Sequence, residues 1–195
     1  WGFDSFGETL SPRQTFIDVG AGYEHSCGLL EDGQAICWGK DSNGELNAPQ
    51  STFASLTVGY GSTCGIEPGG GLICWGGGIS EVPLNGSVEQ VTLKGSSGCG
   101  LRSNGNVKCW GGQSPDGKFK QIAMGGYNNT GCGIKLDDTI GCWNLAGESI
   151  DFGQPSGTFT EVSMGQTSSC AIAVDGLTTC WVTVPLWDFG QADTP

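Results

Sequence analysis

The feature that most constrains this chain is a cysteine pair that recurs five times with one spacing. The segment CGLLEDGQAICWG (27–39) begins with a cysteine, reaches a second one ten positions later and continues with tryptophan. The same layout returns four more times, and the copies together use all ten cysteines. The predicted pairs are Cys27 with Cys37, Cys64 with Cys74, Cys99 with Cys109, Cys132 with Cys142 and Cys170 with Cys180. Such regular spacing predicts one structural unit per pair.

The nine residues between paired cysteines divide into two short strands and a three-residue loop, which is 31–33 in the first copy. Hairpin loops of this length favour a left-handed residue, usually glycine, at the third position. That position holds Gly33, Gly70, Gly105, Asp138 and Gly176. We therefore predict five β-hairpins, each with a disulfide across its strands. Zinc is the alternative, but structural zinc sites use cysteines about two to four residues apart with further ligands, and the chain has one histidine.

Each hairpin is preceded by a further strand and a glycine-containing loop, and this strand begins with phenylalanine in four repeats and with valine in one. The strands begin at Phe16, Phe53, Val88, Phe119 and Phe159, so the repeat cores are 16–38, 53–75, 88–110, 119–143 and 159–181. The 36 glycines and the lack of an amphipathic helical period indicate an all-β chain. Small antiparallel units bury both faces by stacking side by side. The sequence predicts a single domain, 1–195, folded as a five-bladed β-propeller of short, three- to four-stranded blades.

The two ends of the chain carry the same phase of the repeat. WGFDSFGETLSPRQTF from Trp1 aligns without a gap on WGKDSNGELNAPQSTF from Trp38. We expect the terminal segments 1–15 and 182–195 to close the ring by completing a shared blade. That the chain is a piece of a longer array is the alternative.

The charge of the chain limits its partners and its location. Eight basic and twenty acidic residues give a net charge of -12, which disfavours nucleic acid as a partner. No apolar run is long enough to insert into a membrane. Regular, paired cysteines indicate an oxidising, extracellular compartment. Sequons at Asn85 and Asn128 fit secretion and predict N-glycosylation.

The first two repeats, FIDVGAGYEHSCGLLEDGQAICWG and FASLTVGYGSTCGIEPGGGLICWG, resemble the regulator-of-chromosome-condensation repeat. The cysteine-paired form is similar to the extracellular propeller of plant Crinkly-type receptor kinases. The short blade is similar to that of the secreted bacterial β-lactamase inhibitory protein. The resemblance implies a rigid scaffold that binds through its loop face, although this chain has fewer hairpins than those relatives have blades.

The loops between the first strand and the hairpin emerge on one face, together with the connectors that follow the tryptophans. These loops differ among repeats, which suits one asymmetric partner. We predict a secreted, non-enzymatic protein that binds an extracellular protein through this face, as an inhibitor or a defence factor. The candidate binding residues are Tyr23, Glu24, His25, Tyr60, Tyr127, Asn129 and Gln166, joined by Phe3, Phe6 and Trp187.

Two other functions remain as alternatives. A multivalent lectin would stack sugars on the repeated Trp38, Trp75, Trp110, Trp143 and Trp181. The competing expectation is that each indole packs over the small residue that precedes the first cysteine of its hairpin.

A glycosidase-type enzyme would need paired carboxylates, drawn from Asp4, Asp41, Asp137 and Asp138. His25, predicted to lie in a loop, has no recurring neighbour that would make it a catalytic base. The chain has no G-x-S-x-G elbow and no calcium-loop motif, so we predict no cofactor and no metal.

Overall fold

The computed structural model describes residues 4–77, 79, 82, 84, 86–125, 130–144 and 146–182. These residues form five antiparallel sheets and no helix. The first sheet contains β1 (Phe16–Ala21), β2 (His25–Leu30) and β3 (Ala35–Gly39), and the second contains β4 (Ser55–Val58), β5 (Ser62–Ile66) and β6 (Leu72–Gly76). The third contains β7 (Val88–Lys94), β8 (Ser97–Arg102) and β9 (Val107–Trp110).

The fourth sheet contains β10 (Phe119–Gly125), β11 (Thr130–Lys135), β12 (Ile140–Trp143) and β13 (Ser149–Ile150). The fifth contains β14 (Phe159–Met164), β15 (Ser168–Ala173) and β16 (Thr178–Val182). The strands of each sheet lie side by side in chain order. The predicted fold class is confirmed: the chain is all-β and is built from short propeller blades of three to four strands.

By its contacts the chain divides into two compact units, Trp1–Gly98 and Cys99–Pro195, with the boundary inside β8. We call them the N-terminal and C-terminal units. One buried cluster of the N-terminal unit contains Cys27, Leu29, Phe53 and Trp75. Two clusters form the core of the C-terminal unit, one around Ile122 and Trp143 and the other around Ile134, Phe159 and Val162.

The hairpin loops have the predicted conformation. In the first hairpin the Leu30 amide donates to the Gln34 carbonyl at 2.9 Å, and the Gly33 amide donates to the Leu30 carbonyl at 3.0 Å. The third loop residue is left-handed in all five hairpins, with φ of 84° at Gly33 and 69° at Asp138. This conformation reverses the chain over three residues and so sets the register of the cysteine pair.

All five predicted disulfides are present, and no cysteine is free. They join Cys27 to Cys37, Cys64 to Cys74, Cys99 to Cys109, Cys132 to Cys142 and Cys170 to Cys180. The two Cα atoms of every pair lie 4.0 Å apart. In the first, second, fourth and fifth hairpins the paired cysteines stand directly opposite each other in the strand register. Each of these staples therefore lies in the middle of its hairpin, between the turn and the open end.

The surroundings of the second cysteine differ among the sheets. In the fourth sheet Cys142 pairs with Ile150 of the additional strand β13. In the third sheet Cys109 is buried, and its backbone amide donates to Oγ of Ser114 at 3.0 Å, so a connector side chain takes the place of a fourth strand. In the fifth sheet Cys180 is half-buried in β16, the last of three strands. The same staple thus serves blades whose outer edges are built differently.

The glycine that follows the first cysteine is explained by an aromatic ring. A Cβ atom at Gly65 would lie 2.3 Å from Cδ1 of Phe53, because that ring lies across the glycine. The Phe53 ring reaches Trp75, with ring centroids 5.6 Å apart. The first sheet repeats this arrangement with Phe16, Gly28 and Trp38, at 5.5 Å between the rings. The missing side chain of glycine thus leaves room for the phenylalanine ring, which packs against the tryptophan of the same repeat.

One backbone hydrogen bond links each of the first four hairpin turns to the start of the next repeat. In the N-terminal unit the Phe53 amide donates to the Gly33 carbonyl at 2.7 Å, and the Val88 amide donates to the Gly70 carbonyl at 2.9 Å. In the C-terminal unit Phe119 and Phe159 make the same bond to the carbonyls of Gly105 and Asp138, each at 2.8 Å. The left-handed turn residue thus also positions the following repeat.

The predicted roles of the termini concern residues that the structure largely leaves undescribed. Residues 1–3 and 183–195 lie outside the described ranges, so closure of a ring by 1–15 and 182–195 stays a prediction. The assignment of the whole chain to one domain is likewise a prediction. Among the described residues, no helix is long and apolar enough to span a membrane.

Candidate functional site

Two exposed tyrosines of neighbouring repeats form an aromatic pair in the N-terminal unit. Tyr23 lies between β1 and β2, and Tyr60 occupies the equivalent loop between β4 and β5. Their rings stack with centroids 4.4 Å apart and planes inclined by 16°. Despite this contact, Tyr23 remains 63% and Tyr60 60% exposed to solvent. Paired, exposed aromatic rings are typical of protein interaction surfaces.

A cleft of about 380 Å³ opens beside this pair. We call it the tyrosine cleft, and its lining residues with side-chain functional groups are Glu24, His25, Lys40, Asn43, Glu45, Tyr60 and Ser96. Gly61, Gly77 and Gly95 complete the wall. The loops that follow β1, β4 and β7, the first residue of β2 and the connectors after β3 and β6 therefore contribute to one concave site.

His25 lies at the inner side of this cleft and is only 1% exposed. It is the first residue of β2, so it is in a strand rather than in the loop that the sequence predicted. Its Nε2 atom hydrogen-bonds Oγ1 of Thr63 in β5 at 2.9 Å. Burial lowers the pKa of His25 below its ordinary value, while the nearby Glu45 carboxylate partly opposes this shift. The ring is therefore neutral at pH 7.

Glu45 is buried in the connector between β3 and β4, only 4% exposed. Its Oε2 accepts a hydrogen bond from the backbone amide of Asn43 at 2.6 Å, and its Oε1 accepts one from Nδ2 of Asn43 at 3.2 Å. Burial raises the pKa of this carboxyl, but the hydrogen bonds from Asn43 outweigh that effect and the pKa is lowered overall. Glu45 is thus a buried, ionised carboxylate.

Glu8 holds the equivalent position in the first connector and repeats this local structure. Its Oε2 accepts a hydrogen bond from the Phe6 amide at 2.8 Å. The indole Nε1 of Trp38 donates to the Glu8 carbonyl at 2.8 Å, as that of Trp75 does to the Glu45 carbonyl at 3.2 Å. The alignment of the first and second connectors therefore describes a shared conformation, in which the glutamate also fixes the tryptophan.

The rim of the cleft carries an ion pair between Lys40 and Glu24. Its hydrogen bond raises the pKa of Lys40 above the usual value. The same ammonium group lies 5.2 Å from the centroid of the Phe6 ring, which is 49% exposed. The structure thus brings five predicted residues to one place: Phe6, Tyr23, Glu24, His25 and Tyr60. It adds Lys40 and Glu45, which sequence reasoning missed.

The other predicted binding residues do not join this cluster in the described structure. Gln166 is exposed between β14 and β15 of the C-terminal unit. Phe3, Tyr127, Asn129 and Trp187 lie outside the described residues, as do both sequon asparagines, Asn85 and Asn128. The sites proposed for them stay predictions.

None of the predicted disulfide cysteines lines the tyrosine cleft, but Cys27 packs against a residue that holds one of its lining side chains. Cys27 is fully buried, and its Sγ atom lies 3.4 Å from Oγ1 of Thr63, the residue that also binds His25. Cys109 and Cys180 belong to the third and fifth hairpins of the C-terminal unit, and neither is a lining residue of the tyrosine cleft. The cysteines are therefore structural residues of the blades.

Four of the five repeated tryptophans are buried. Trp75, Trp110, Trp143 and Trp181 are between 2% and 8% exposed, and Trp38 is half-buried. Trp38, Trp75, Trp143 and Trp181 stand directly across from Ser26, Thr63, Gly131 and Ser169, as the packing interpretation expects. A buried indole has no free face for a sugar, so this geometry supports packing rather than carbohydrate stacking.

The four carboxylates considered for glycosidase chemistry each have a local partner. Asp4 and Asp41 accept hydrogen bonds from the backbone amides of Thr9 and Leu46 in their own connectors. Asp137 binds Thr139 within a hairpin turn, and Asp138 pairs with Lys120. Within the described residues, no three His, Cys, Asp or Glu side chains are grouped to hold a metal ion.

Comparison with known proteins agrees with the repeat pattern. The family model described as Regulator of chromosome condensation (RCC1) repeat matches residues 16–45, which contain the first hairpin. A search of curated proteins finds no match. The resemblance that the sequence predicted, to RCC1-type repeats and to Crinkly ectodomains, is confirmed by this match and by the structures below.

Among solved structures, the entire ectodomain of the Physcomitrella patens receptor kinase CR4 aligns with a TM-score of 0.76 and 24% identity, over 95% of this chain and 56% of that one. The CRINKLY WD40 ectodomain of the Arabidopsis thaliana receptor kinase ACR4 aligns with a TM-score of 0.69 and 25% identity, over 86% and 68% of the two chains. Prp20p from Saccharomyces cerevisiae, whose structure is described with its binding to Gsp1p and histones, aligns with a TM-score of 0.66 and 16% identity, over 85% and 56%. The chain spans little more than half the length of the CR4 ectodomain.

Proposed function

We propose that this protein is a secreted, non-enzymatic recognition protein that binds an extracellular protein partner through the tyrosine cleft. The observation that carries this proposal is the stacked pair of Tyr23 and Tyr60, which keeps about three-fifths of each ring exposed beside a concave site. Exposed aromatic anchors next to a pocket are what a protein interface uses as its energetic centre. A binding protein of this kind suits the role of an inhibitor or defence factor.

The frame under the cleft supports binding without rearrangement. The disulfides Cys27–Cys37 and Cys64–Cys74 staple the two hairpins that follow the tyrosine loops. The hydrogen bond between His25 and Thr63 joins these hairpins directly. A site held rigid before binding loses less conformational entropy when the partner arrives. The loops need not be ordered by the partner.

The extracellular location rests on the cysteines and on the relatives. Ten cysteines in five disulfides are typical of proteins from an oxidising compartment. The CR4 and ACR4 structures are receptor ectodomains. The yeast relative Prp20p is described as binding the proteins Gsp1p and histones, so this fold serves protein recognition elsewhere.

The test begins with the oxidised protein as bait in native extracellular fluid, followed by cross-linking and mass spectrometry to identify the partner. The purified partner is then titrated against a Tyr23→Ala/Tyr60→Ala variant. Loss of two aromatic anchors should weaken binding by roughly 30-fold or more, since each such anchor contributes about 1–2 kcal/mol or more.

The matched control is a Leu136→Ala/Leu177→Ala variant, which removes two exposed apolar side chains from hairpin turns. It should bind the partner as the unmodified protein does. Equal affinity of the tyrosine variant and the control would refute the proposal. Saturable binding of a simple sugar on a glycan array, with no protein partner, would instead favour the lectin alternative.

A further inference from the structure

The charges around the tyrosine cleft narrow the class of partner. The lining contains the carboxylates of Glu24 and Glu45 and one ammonium group, that of Lys40. Glu24 already binds Lys40, and the buried ring of His25 is neutral at pH 7. The Glu45 carboxylate also attracts Lys40 and helps to raise its pKa, so one ammonium group is shared by two carboxylates and the cleft keeps a net negative charge. The chain as a whole carries a net charge of -12, which also attracts a positively charged partner.

The Glu45 carboxylate can accept more hydrogen bonds than it receives. Asn43 donates one bond to each of its oxygens. An ionised carboxylate offers about four lone-pair positions, so each oxygen retains capacity for another donor. Because Glu45 is shielded from water, its attraction to a cation is stronger than that of a surface carboxylate.

The wall of the cleft adds an aromatic face to these carboxylates. Tyr60 lines the cleft, and its ring is braced by stacking on Tyr23. An aromatic face beside a carboxylate binds cations, because the negative face of the ring attracts positive charge. The chain already contains one such arrangement: Lys40 lies over the Phe6 ring while it binds Glu24.

We infer that the tyrosine cleft binds an arginine side chain of the partner protein, with its guanidinium group between the carboxylates of Glu24 and Glu45 and the ring of Tyr60. Arginine fits better than lysine because its planar donors pair with carboxylates and its plane stacks on an aromatic ring. A cavity of about 380 Å³ has room for a side chain and its flanking backbone. This inference rests on the proposed function and specifies the chemistry of the partner at the same site.

The experiment uses the oxidised full-length protein and the tripeptide acetyl-Gly-Arg-Gly-amide as the probe, titrated by NMR at low salt. The matched probe replaces arginine with citrulline, which keeps the shape and removes the charge. The arginine peptide should bind at least about tenfold more tightly than the citrulline peptide, with affinity decreasing as salt is added. A lysine peptide should fall between the two.

Two variants locate the binding. Glu24→Gln should weaken the arginine peptide by about tenfold, because the change removes one carboxylate and releases the Lys40 charge into the cleft. Glu31→Gln removes an exposed carboxylate from the turn of the first hairpin and should leave the affinity unchanged. Equal binding of the two peptides, equal affinity of the Glu24→Gln variant, or no binding of any peptide would each overturn the inference.

The inference and the proposed function fail in different ways. A partner whose affinity depends on Tyr23 and Tyr60, with no preference for the arginine peptide, would overturn the arginine inference and leave the proposed function standing. Binding of the arginine peptide in the cleft, with a protein partner whose affinity does not depend on either tyrosine, would overturn the proposed function and leave the arginine preference of the cleft standing.

Discussion

Replacement of Gly65 by alanine tests whether the glycine after the cysteine exists to receive an aromatic ring. A Cβ atom at this position would lie 2.3 Å from Cδ1 and 2.6 Å from Cε1 of Phe53. Phe53 is only 3% exposed and lies against Trp75, so its ring cannot move without losing buried contacts. We expect the Gly65→Ala substitution to lower the free energy of unfolding.

The sign of the effect distinguishes this mechanism from the general effect of such a substitution. Gly65 does not have a positive φ, and glycine to alanine at such a position normally stabilises a protein by about 0.4–1 kcal/mol. Overpacking of a core costs about 1–3 kcal/mol. The net loss should therefore be about 1–2 kcal/mol, equal to a decrease in Tm of roughly 2–8 °C for a chain of this length.

The assay is urea unfolding of the oxidised protein, with Gly69→Ala as the matched control. A Cβ at Gly69 would meet nothing within 4 Å, so that substitution should be neutral or stabilising. The third repeat has valine, Val88, at the position equivalent to Phe53. In a Phe53→Val background, Gly65→Ala should therefore have almost no effect on the free energy of unfolding. A stabilising effect of Gly65→Ala alone, or an equal loss with valine at position 53, would refute the ring-over-glycine explanation.

The remaining predictions concern pH, the turns and the staples. Burial lowers the pKa of folded His25 below its ordinary value of 6.5, so the contribution of neutral His25 to the free energy of unfolding is complete above pH 6.5 and decreases as pH falls below that value. Urea unfolding between pH 7.5 and 5.5 should therefore show a steeper loss of stability for the unmodified protein than for His25→Gln. Equal slopes would contradict this prediction. Asp138→Val should be about 1–2 kcal/mol less stable than Asp138→Gly, since a β-branched residue tolerates the left-handed turn poorly, and equal Tm values would refute it. Replacing both Cys99 and Cys109 with alanine removes their disulfide and should lower the free energy of unfolding in urea by about 2–3 kcal/mol, because the unfolded chain is no longer constrained by a short closed loop. An unchanged urea midpoint would show that this disulfide does not stabilise the protein.

The hairpins could be predicted because local chemistry determines them. A left-handed Gly33 and a directly opposed pair, Cys27 and Cys37, follow from a loop of three residues and the strand period alone. The role of Gly28 could not be predicted in this way. The ring of Phe16, twelve residues earlier in the sequence, lies over Gly28. The need for glycine therefore comes from packing between strands and not from the local hairpin sequence.

The candidate site was predictable in part. Tyr23 and Tyr60 occupy the same position of adjacent repeats, so a common face follows, whereas their stacking distance does not. His25 was expected in a loop, but its backbone pairs with Gly39 as the first residue of β2. Thr63, which is 38 positions away, gives its ring a buried partner. Glu45 was missed, although the alignment of the first two connectors placed it opposite Glu8 and could have indicated a shared structural role.

The central claim is that the tyrosine cleft is the surface by which this protein recognises another protein. The most direct test is the ratio of the dissociation constants of the captured partner for the Tyr23→Ala/Tyr60→Ala variant and for the Leu136→Ala/Leu177→Ala control. The proposed function predicts a ratio of roughly 30 or more, with both variants folded and fully oxidised. A ratio near one would contradict it and would place the recognition surface elsewhere on the chain.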